Sequence, residues 1–257
     1  MNKPFASIRG GVPAPTNHTK KLGSLLLCAT FTLCPAFARD PAPAGIAAVN
    51  LGSAAPFAVF GASGVTNTGF TVITGDLGVY PIAGTAVTGF THVNGDACCG
   101  RVIGTIDDNE TTPETTAGKH ALASIMIAYD DAKGRTGAFT PIGELSGKTL
   151  TPGLYKSNTT ASLSTGKLTL KGNGVYIFQI GTGLTVSNDT EVVLEGGANA
   201  ADIFWQVGTL ASLGTGVSFE GTILTGAAIT MEFGTTLVGR ALAQTDVTFI
   251  TDRVTLP

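Results

Sequence analysis

The chain has 257 residues, 43% of them hydrophobic, and carries 35 glycines but only 13% charged residues, about half the roughly 25% usual for globular domains. Apolar residues this plentiful and regularly spaced exclude a disordered chain, and the length suffices for one sizeable core without demanding two domains. The formal net charge of −3 offers no basic surface of the kind that nucleic acids or anionic membranes need.

Taken in order, the first residues read as a secretory signal. Lys20 and Lys21 precede the apolar run from Leu22 to Cys34, and Ala36-Phe37-Ala38 is an A-x-A cleavage site. Residues 1–38 are therefore expected to be a signal peptide cleaved after about Ala38, leaving 39–257 as a single secreted domain. Cleavage removes Lys3, Arg9, Lys20 and Lys21 and no acid, so 11 basic and 18 acidic residues remain, a net charge of −7. No other run approaches the roughly 20 apolar residues of a membrane span, and no membrane or nucleic-acid partner is expected. Cys28 and Cys34 leave with the signal. The adjacent Cys98 and Cys99 are compatible with a vicinal disulfide, free thiols or a bridge between chains, but not with a metal site.

Residues 39–50 form a short extended lead-in. From Leu51 to Thr105 the pattern is one of short strands punctuated by glycine: Phe57–Phe60, Val72–Thr74, Leu77–Tyr80 and Ala86–Thr88, with turns at Asn94-Gly-Asp and Cys98-Cys-Gly. After a polar, acidic stretch at 106–113, Leu122, Ile125, Met126 and Tyr129 recur at helical spacing and predict one amphipathic helix over about 113–134. Thr112 is its expected N-cap, with Pro113 and Glu114 in the first turn and Gly134 near its end. Residues 137–147 read as a linker. Strands then resume at Gly153–Lys156, Lys167–Leu170, Val175–Ile180, Glu191–Leu194 and Ile203–Val207.

The last third repeats every 18 residues. Ser212, Thr230 and Thr248 form one column, flanked by Ala211, Ile229 and Val247 on one side and Leu213, Met231 and Phe249 on the other. A small hydroxyl between two apolar neighbours is the period-2 pattern of a half-buried strand. Repeats this short suit a solenoid, whose coils bury their apolar sides only by stacking. Carried backwards, the register yields the pairs Thr245/Thr248, Ala227/Thr230, Thr209/Ser212, Thr182/Thr185 and Thr159/Ser162. Thr85/Thr88 and Ser63/Thr66 fit in the N-terminal half, where the ladder is expected to begin near Ser63.

These stretches resemble the microbial ice-binding proteins of the domain-of-unknown-function 3494 type, secreted by organisms of cold habitats. The similar segments include Leu51–Phe60, Val65–Gly69, Thr74–Val79, Ala128–Ala132, Leu150–Tyr155 and Val175–Ile180. Ile203–Val207, Leu213–Gly216, Phe219–Ile223 and Val238–Leu242 continue them in the family's order, covering nearly all of 51–250. The resemblance implies a mainly β fold: a right-handed, roughly triangular β-solenoid, discontinuous in sequence, with one long α-helix packed alongside. It also implies a flat face that adsorbs to ice, in some members through a T-A/G-x-T/N motif. Thr85-Ala-Val-Thr88 and Thr182-Gly-Leu-Thr185 match that motif within the hydroxyl columns; Thr68-Gly-Phe-Thr71 and Thr88-Gly-Phe-Thr91 match outside them. The chain departs from the family's usual pattern around 91–116.

The expected ice-binding residues are Ser63, Thr66, Thr85, Thr88, Thr159, Ser162, Thr182, Thr185, Thr209, Ser212, Thr230, Thr245 and Thr248. Ala86, Gly183 and Ala228 keep the face flat between the columns, whereas Asp246 and Leu210 interrupt it. Threonine suits such a surface because it is stiff at χ1, its methyl ordering water that its hydroxyl anchors. The partner implied is an ice crystal surface, and a monomer is expected. The alternative is a cell-surface adhesin or matrix protein that uses the same face on a polysaccharide. An enzyme is not expected: the mature chain has two histidines, His92 and His120. Its acids cluster only at Asp107, Asp108 and Glu110 or along the helix at Asp130 and Asp131. No nucleophile elbow, calcium loop or cofactor motif is present in the sequence.

Overall fold

The computed structural model describes residues 45–82, 84–90, 99–107 and 116–257. The signal segment, the Asn94 turn, Cys98, the acids Asp108 and Glu110 and the expected helix start at Thr112–Glu114 lie outside those residues.

Short parallel strands stack into coils, and each coil runs through three strand columns in turn. One coil, for instance, passes from Ile203–Val207 through Ala211–Leu213 into Ser218–Thr225. The second column is a seven-stranded sheet, and the first and third join into a 15-stranded one. They join where Ser218–Thr225 and Thr236–Ala243 bend from the third column into the first of the next coil. Gly221 sits at that corner with φ +106, and a Cβ there would lie 2.7–2.8 Å from Ile203. Only glycine tolerates both the conformation and the approach.

The stacking order is not the chain order. The final coil pairs forward onto the first: Ala241 lies opposite Val59, Thr248 opposite Thr66, and Val254 opposite Ile73. The chain therefore starts within the stack and runs to one end through Asp76–Val79 and Ile106–Asp107. It re-enters at the other end with Phe139–Pro141, which pairs with Gly153–Ser157. The helix Thr116–Gly134 covers that distance. Its 19 residues span about 28 Å at 1.5 Å per residue. It packs on Leu154, Ile177, Phe204, Leu224, Leu242 and Phe60, six successive coils whose five gaps cover about 24 Å at strand spacing.

Two sequence expectations change here. The helix buries Ala121, Ile125, Ala128, Tyr129 and Ala132, whereas Met126 is 48% exposed and Leu122 only partly buried. Small alanines win the inner face because a helix crossing a pleated sheet needs close approach, so the apolar stripe is rotated from the one that large residues suggest. The expected linker at 137–147 is also part of the solenoid. It holds the strand Phe139–Pro141 and a bridge from Glu144 to Ser162.

The interior is apolar, with aromatic rings at its centre. Tyr155, Phe178 and Trp205 stack along successive coils with ring centroids 5.0 and 3.8 Å apart, and the indole N–H of Trp205 donates to the Glu220 carbonyl at 2.9 Å. At the end of the helix, the buried Gln179 donates from Nε2 to the carbonyls of Ala132 (2.8 Å), Lys133 (3.1 Å) and Arg135 (2.9 Å). The first two are among the carbonyls a helix C-terminus leaves without partners, and the third lies just beyond it. Arg135 closes the same turn by a bidentate bond to Asp131.

Candidate ice-binding face

The three columns present different outer surfaces. The first lies under the helix. The third carries the exposed Lys167, Glu191, Arg253 and Arg101 along one register, with Lys171 paired to Glu195 at 3.7 Å. The second column is open and nearly free of charge.

Its register assembles the expected hydroxyls. Ser162, Thr185, Ser212, Thr230, Thr248, Thr66 and Thr88 are successive Cα partners across the seven strands. Each hydroxyl residue alternates with inward side chains. Ala161, Leu163, Leu184, Val186, Ala211, Leu213, Ile229, Met231, Val247, Phe249 and Val65 are all buried. The burial pattern fixes the register of these short strands, because a slip by one would turn the apolar pair into solvent. Seven rungs at strand spacing make a row about 29 Å long.

A second row runs beside the first at the turn into each strand. The N–H groups of Thr182, Thr209, Ala227, Thr245 and Ser63 donate to the carbonyls of Thr159, Thr182, Thr209, Ala227 and Thr245, at 2.8–3.1 Å. Thr159, Thr182, Thr209, Thr245 and Ser63 thus form one hydrogen-bonded row, interrupted by Ala227. The Thr209 hydroxyl donates to the Thr182 carbonyl at 3.1 Å, which fixes its rotamer. Between the rows lie Gly183, Leu210, Ala228, Asp246, Gly64 and Ala86. Leu210 is 44% exposed, and Asp246 stands exposed opposite Gly64.

Two expectations need correction. The ladder does not begin near Ser63: Ser63 and Thr66 follow Thr245 and Thr248 in space, because the first coil stacks on the last. Thr85 does not continue the second row, since Gly84–Ala86 forms a 3-10 turn ahead of the two-residue strand Val87–Thr88. At that outermost coil only Thr88 takes up the ladder register.

The opposite end is closed by Glu144, which the hydroxyl pattern did not reveal. Its carboxylate accepts hydrogen bonds from the side chains of Ser146, Ser162 (3.0 Å) and Ser164 (2.6 Å), and from the backbone N–H groups of Ser146 and Ser164. Burial opposes ionisation, but the bonds from Ser146 and Ser164 outweigh it and hold the carboxyl below its ordinary range. Ser162 therefore points its hydroxyl at a carboxylate rather than outward. The sequence does carry a signal: Glu144 stands 18 residues before Ser162, the same interval as the terminal repeat.

No group of three or more histidine, cysteine or acidic side chains that could hold a metal occurs among the described residues. No described helix is long and apolar enough to cross a membrane. Fold and face together define a β-solenoid with a flat, periodic, weakly charged surface of Thr, Ser and Ala. Residues 59–255 match the ice-binding-like family, and the chain belongs to that family, which is non-enzymatic. It is 38% identical over 220 residues to an ice-binding protein of Flavobacterium frigoris, covering 81% of this chain and 76% of that one. It is also 38% identical over 233 residues to an ice-binding protein of a Colwellia species, covering 86% and 88%. The fold is shared with the crystal structure of an ice-binding protein from an Antarctic biological consortium, with a TM-score of 0.75, 40% identity and coverage of 83% and 93%. An ice-binding protein from an Arctic yeast, described for its antifreeze activity, aligns with a TM-score of 0.76 and 35% identity over 82% of this chain and 94% of that one.

Proposed function

We propose that this is a secreted, monomeric ice-binding protein that adsorbs to ice through the Thr/Ser face and so slows ice growth and recrystallisation. The observation that carries the reading is the register of Thr185, Ser212, Thr230, Thr248, Thr66 and Thr88 on one uncovered, weakly charged sheet. The other two faces suit ice poorly. One lies beneath the helix, and the other carries lysines, arginines and glutamates whose hydration shells do not fit a lattice.

Ice offers no shape to enclose, only a periodic array of water, so its binder needs a rigid surface of matching regularity. Parallel strands supply that regularity because backbone hydrogen bonds fix the rung spacing at about 4.7–4.9 Å. The β-branched side chains lose little rotamer freedom on adsorption. Their methyl groups order the adjoining water, and their hydroxyls hold it by hydrogen bonds. Once such molecules are fixed to a crystal, its front must bulge between them, and the added curvature makes further growth unfavourable. The signal segment at 1–38 supports export to where extracellular ice forms. The mature charge of −7 supports neither nucleic acid nor anionic membrane as a partner.

The test is ice-crystal shaping, ice-affinity partition and recrystallisation by the purified 39–257 domain and its Thr185→Tyr and Thr230→Tyr variants. Each tyrosine raises a ring above the flat face while remaining a good strand residue. Stability should change by no more than about 0.5 kcal/mol, and activity should fall by at least about tenfold. Wild-type behaviour identical to an albumin control would refute ice binding. Full activity in both variants would refute this face.

A further inference from the structure

A groove of about 310 Å³ opens where the C-terminal turn of the helix meets the strands Gly153–Ser157, Tyr176–Ile180 and Ile203–Val207. It leads along Asn158, Gly181 and Gly208 to the edge of the Thr face. Its size lies at the small end of the roughly 300–1,000 Å³ of ligand pockets, room for one or two sugar rings.

Three observations give the groove a chemical character. Lys133 and Lys156 both line it, and neither forms an ion pair among the described residues. Each ammonium instead lies over a ring: Lys133 Nζ is 5.6 Å from the Tyr129 centroid and Lys156 Nζ 5.7 Å from the Phe139 centroid. Gln206, only 3% exposed, opens its amide into the groove and has no side-chain hydrogen-bond partner among the described residues. Its neighbour one coil away, Gln179, is by contrast fully engaged on the helix end. The Gln206 amide is therefore left to bond whatever enters the groove, water or ligand. Asn158 adds a second amide at the rim.

Two cations call for an anion, and a carboxylate between two ammonium groups forms the strong, charge-assisted kind of hydrogen bond. Amides at the floor and rim both donate and accept, which suits the hydroxyls of a sugar ring. An acidic peptide finds no such match. It would need a free strand edge for its main chain, and each of the three strands here is paired on both sides. We propose that this groove is a binding site for a uronate unit of an acidic polysaccharide. The site lies beyond the ice face and would tether the protein to extracellular polysaccharide while the Thr/Ser rows stay free.

The experiment titrates the 39–257 domain with trigalacturonate by calorimetry and NMR, with maltotriose, acetate and triglutamate as comparators. Trigalacturonate should bind in the millimolar range or tighter, and maltotriose and acetate at least about tenfold more weakly. The double variant Lys133→Met/Lys156→Met keeps the aliphatic stems over the rings and should weaken binding at least about tenfold. Gln206→Leu should weaken it by about threefold or more. Ice recrystallisation activity should be unchanged in all three proteins, so a failed ice reading and a failed groove are told apart. Equal affinity for triglutamate or acetate would overturn the proposal. So would no response at about 10 mM trigalacturonate, or full affinity in the lysine double variant.

Discussion

Replacing Gln179 tests how the helix is fastened to the solenoid. The side chain is 5% exposed and donates to three carbonyls at the helix end, those of Ala132, Lys133 and Arg135. One NH₂ group has two protons, so it satisfies two of these fully and shares with the third. Gln179→Leu keeps the volume and removes both donors. An unsatisfied buried carbonyl costs about 1–3 kcal/mol. The adjoining groove, lined by Lys133 and Gln179, admits water beside these carbonyls, so the low end of about 1 kcal/mol applies to each of the two lost donors and the total loss should be about 2 kcal/mol. For a domain of this size that lowers Tm by roughly 4–8 °C. Gln179→Glu should be worse than leucine, because it turns a carboxylate toward carbonyls already at the negative end of the helix dipole. Thermal and urea denaturation of the three proteins measure the order. The seven-stranded sheet is built without the helix, so ice activity near 0 °C should persist in the leucine variant. A leucine variant within about 0.5 kcal/mol of wild type, or a glutamate variant more stable than leucine, would refute the capping role.

Other outcomes follow from single residues. Thr222 is fully buried and its hydroxyl finds no partner among the described residues, so Thr222→Val should raise stability by about 1 kcal/mol in urea. Burial, and then repulsion from Glu191, raise the Glu220 carboxyl to about 7. Burial likewise raises Asp252 to about 7 against its backbone hydrogen bonds from Ile250 and Thr235, with Glu232 adding to the rise. A raised folded pKa means that the native state holds these protons more tightly. The stabilising contribution is complete below about pH 4 and disappears as pH climbs through 7. Tm should therefore be higher at pH 5 than at pH 8, and Glu220→Gln should narrow the difference. Asp246 is the charge that breaks the row between Ala228 and Gly64. Asp246→Thr should increase ice adsorption about twofold or more while changing stability by less than about 0.5 kcal/mol, as read by ice-affinity partition and urea midpoint.

The rungs are written in the local residue pattern. Alternation between hydroxyl and apolar residues is local, so Ser212, Thr230 and Thr248 could be assigned to an outward row without any contact being known. The same pattern located Ser162, Thr185, Thr66 and Thr88, and all seven are register partners. The helix was legible from its spacing, as were Ile125 and Tyr129 on its inner face, but the rest of that face was not. Large residues pointed to Met126, whereas close approach to the sheet selected Ala121, Ala128 and Ala132.

The order of the rungs and their limits come from long-range contacts. Parallel pairing is made by backbone groups that are alike in every coil, so no periodicity says which coil lies beside which. That the first coil stacks on the last, placing Thr66 after Thr248, depends on a helix long enough to return the chain across six coils. Glu144 ends the face because it meets Ser146, Ser162 and Ser164 at once. Gln179 and Gln206 look equivalent in sequence, but only the first faces a helix end. The second faces a groove, and three-dimensional neighbours alone gave the two amides different tasks.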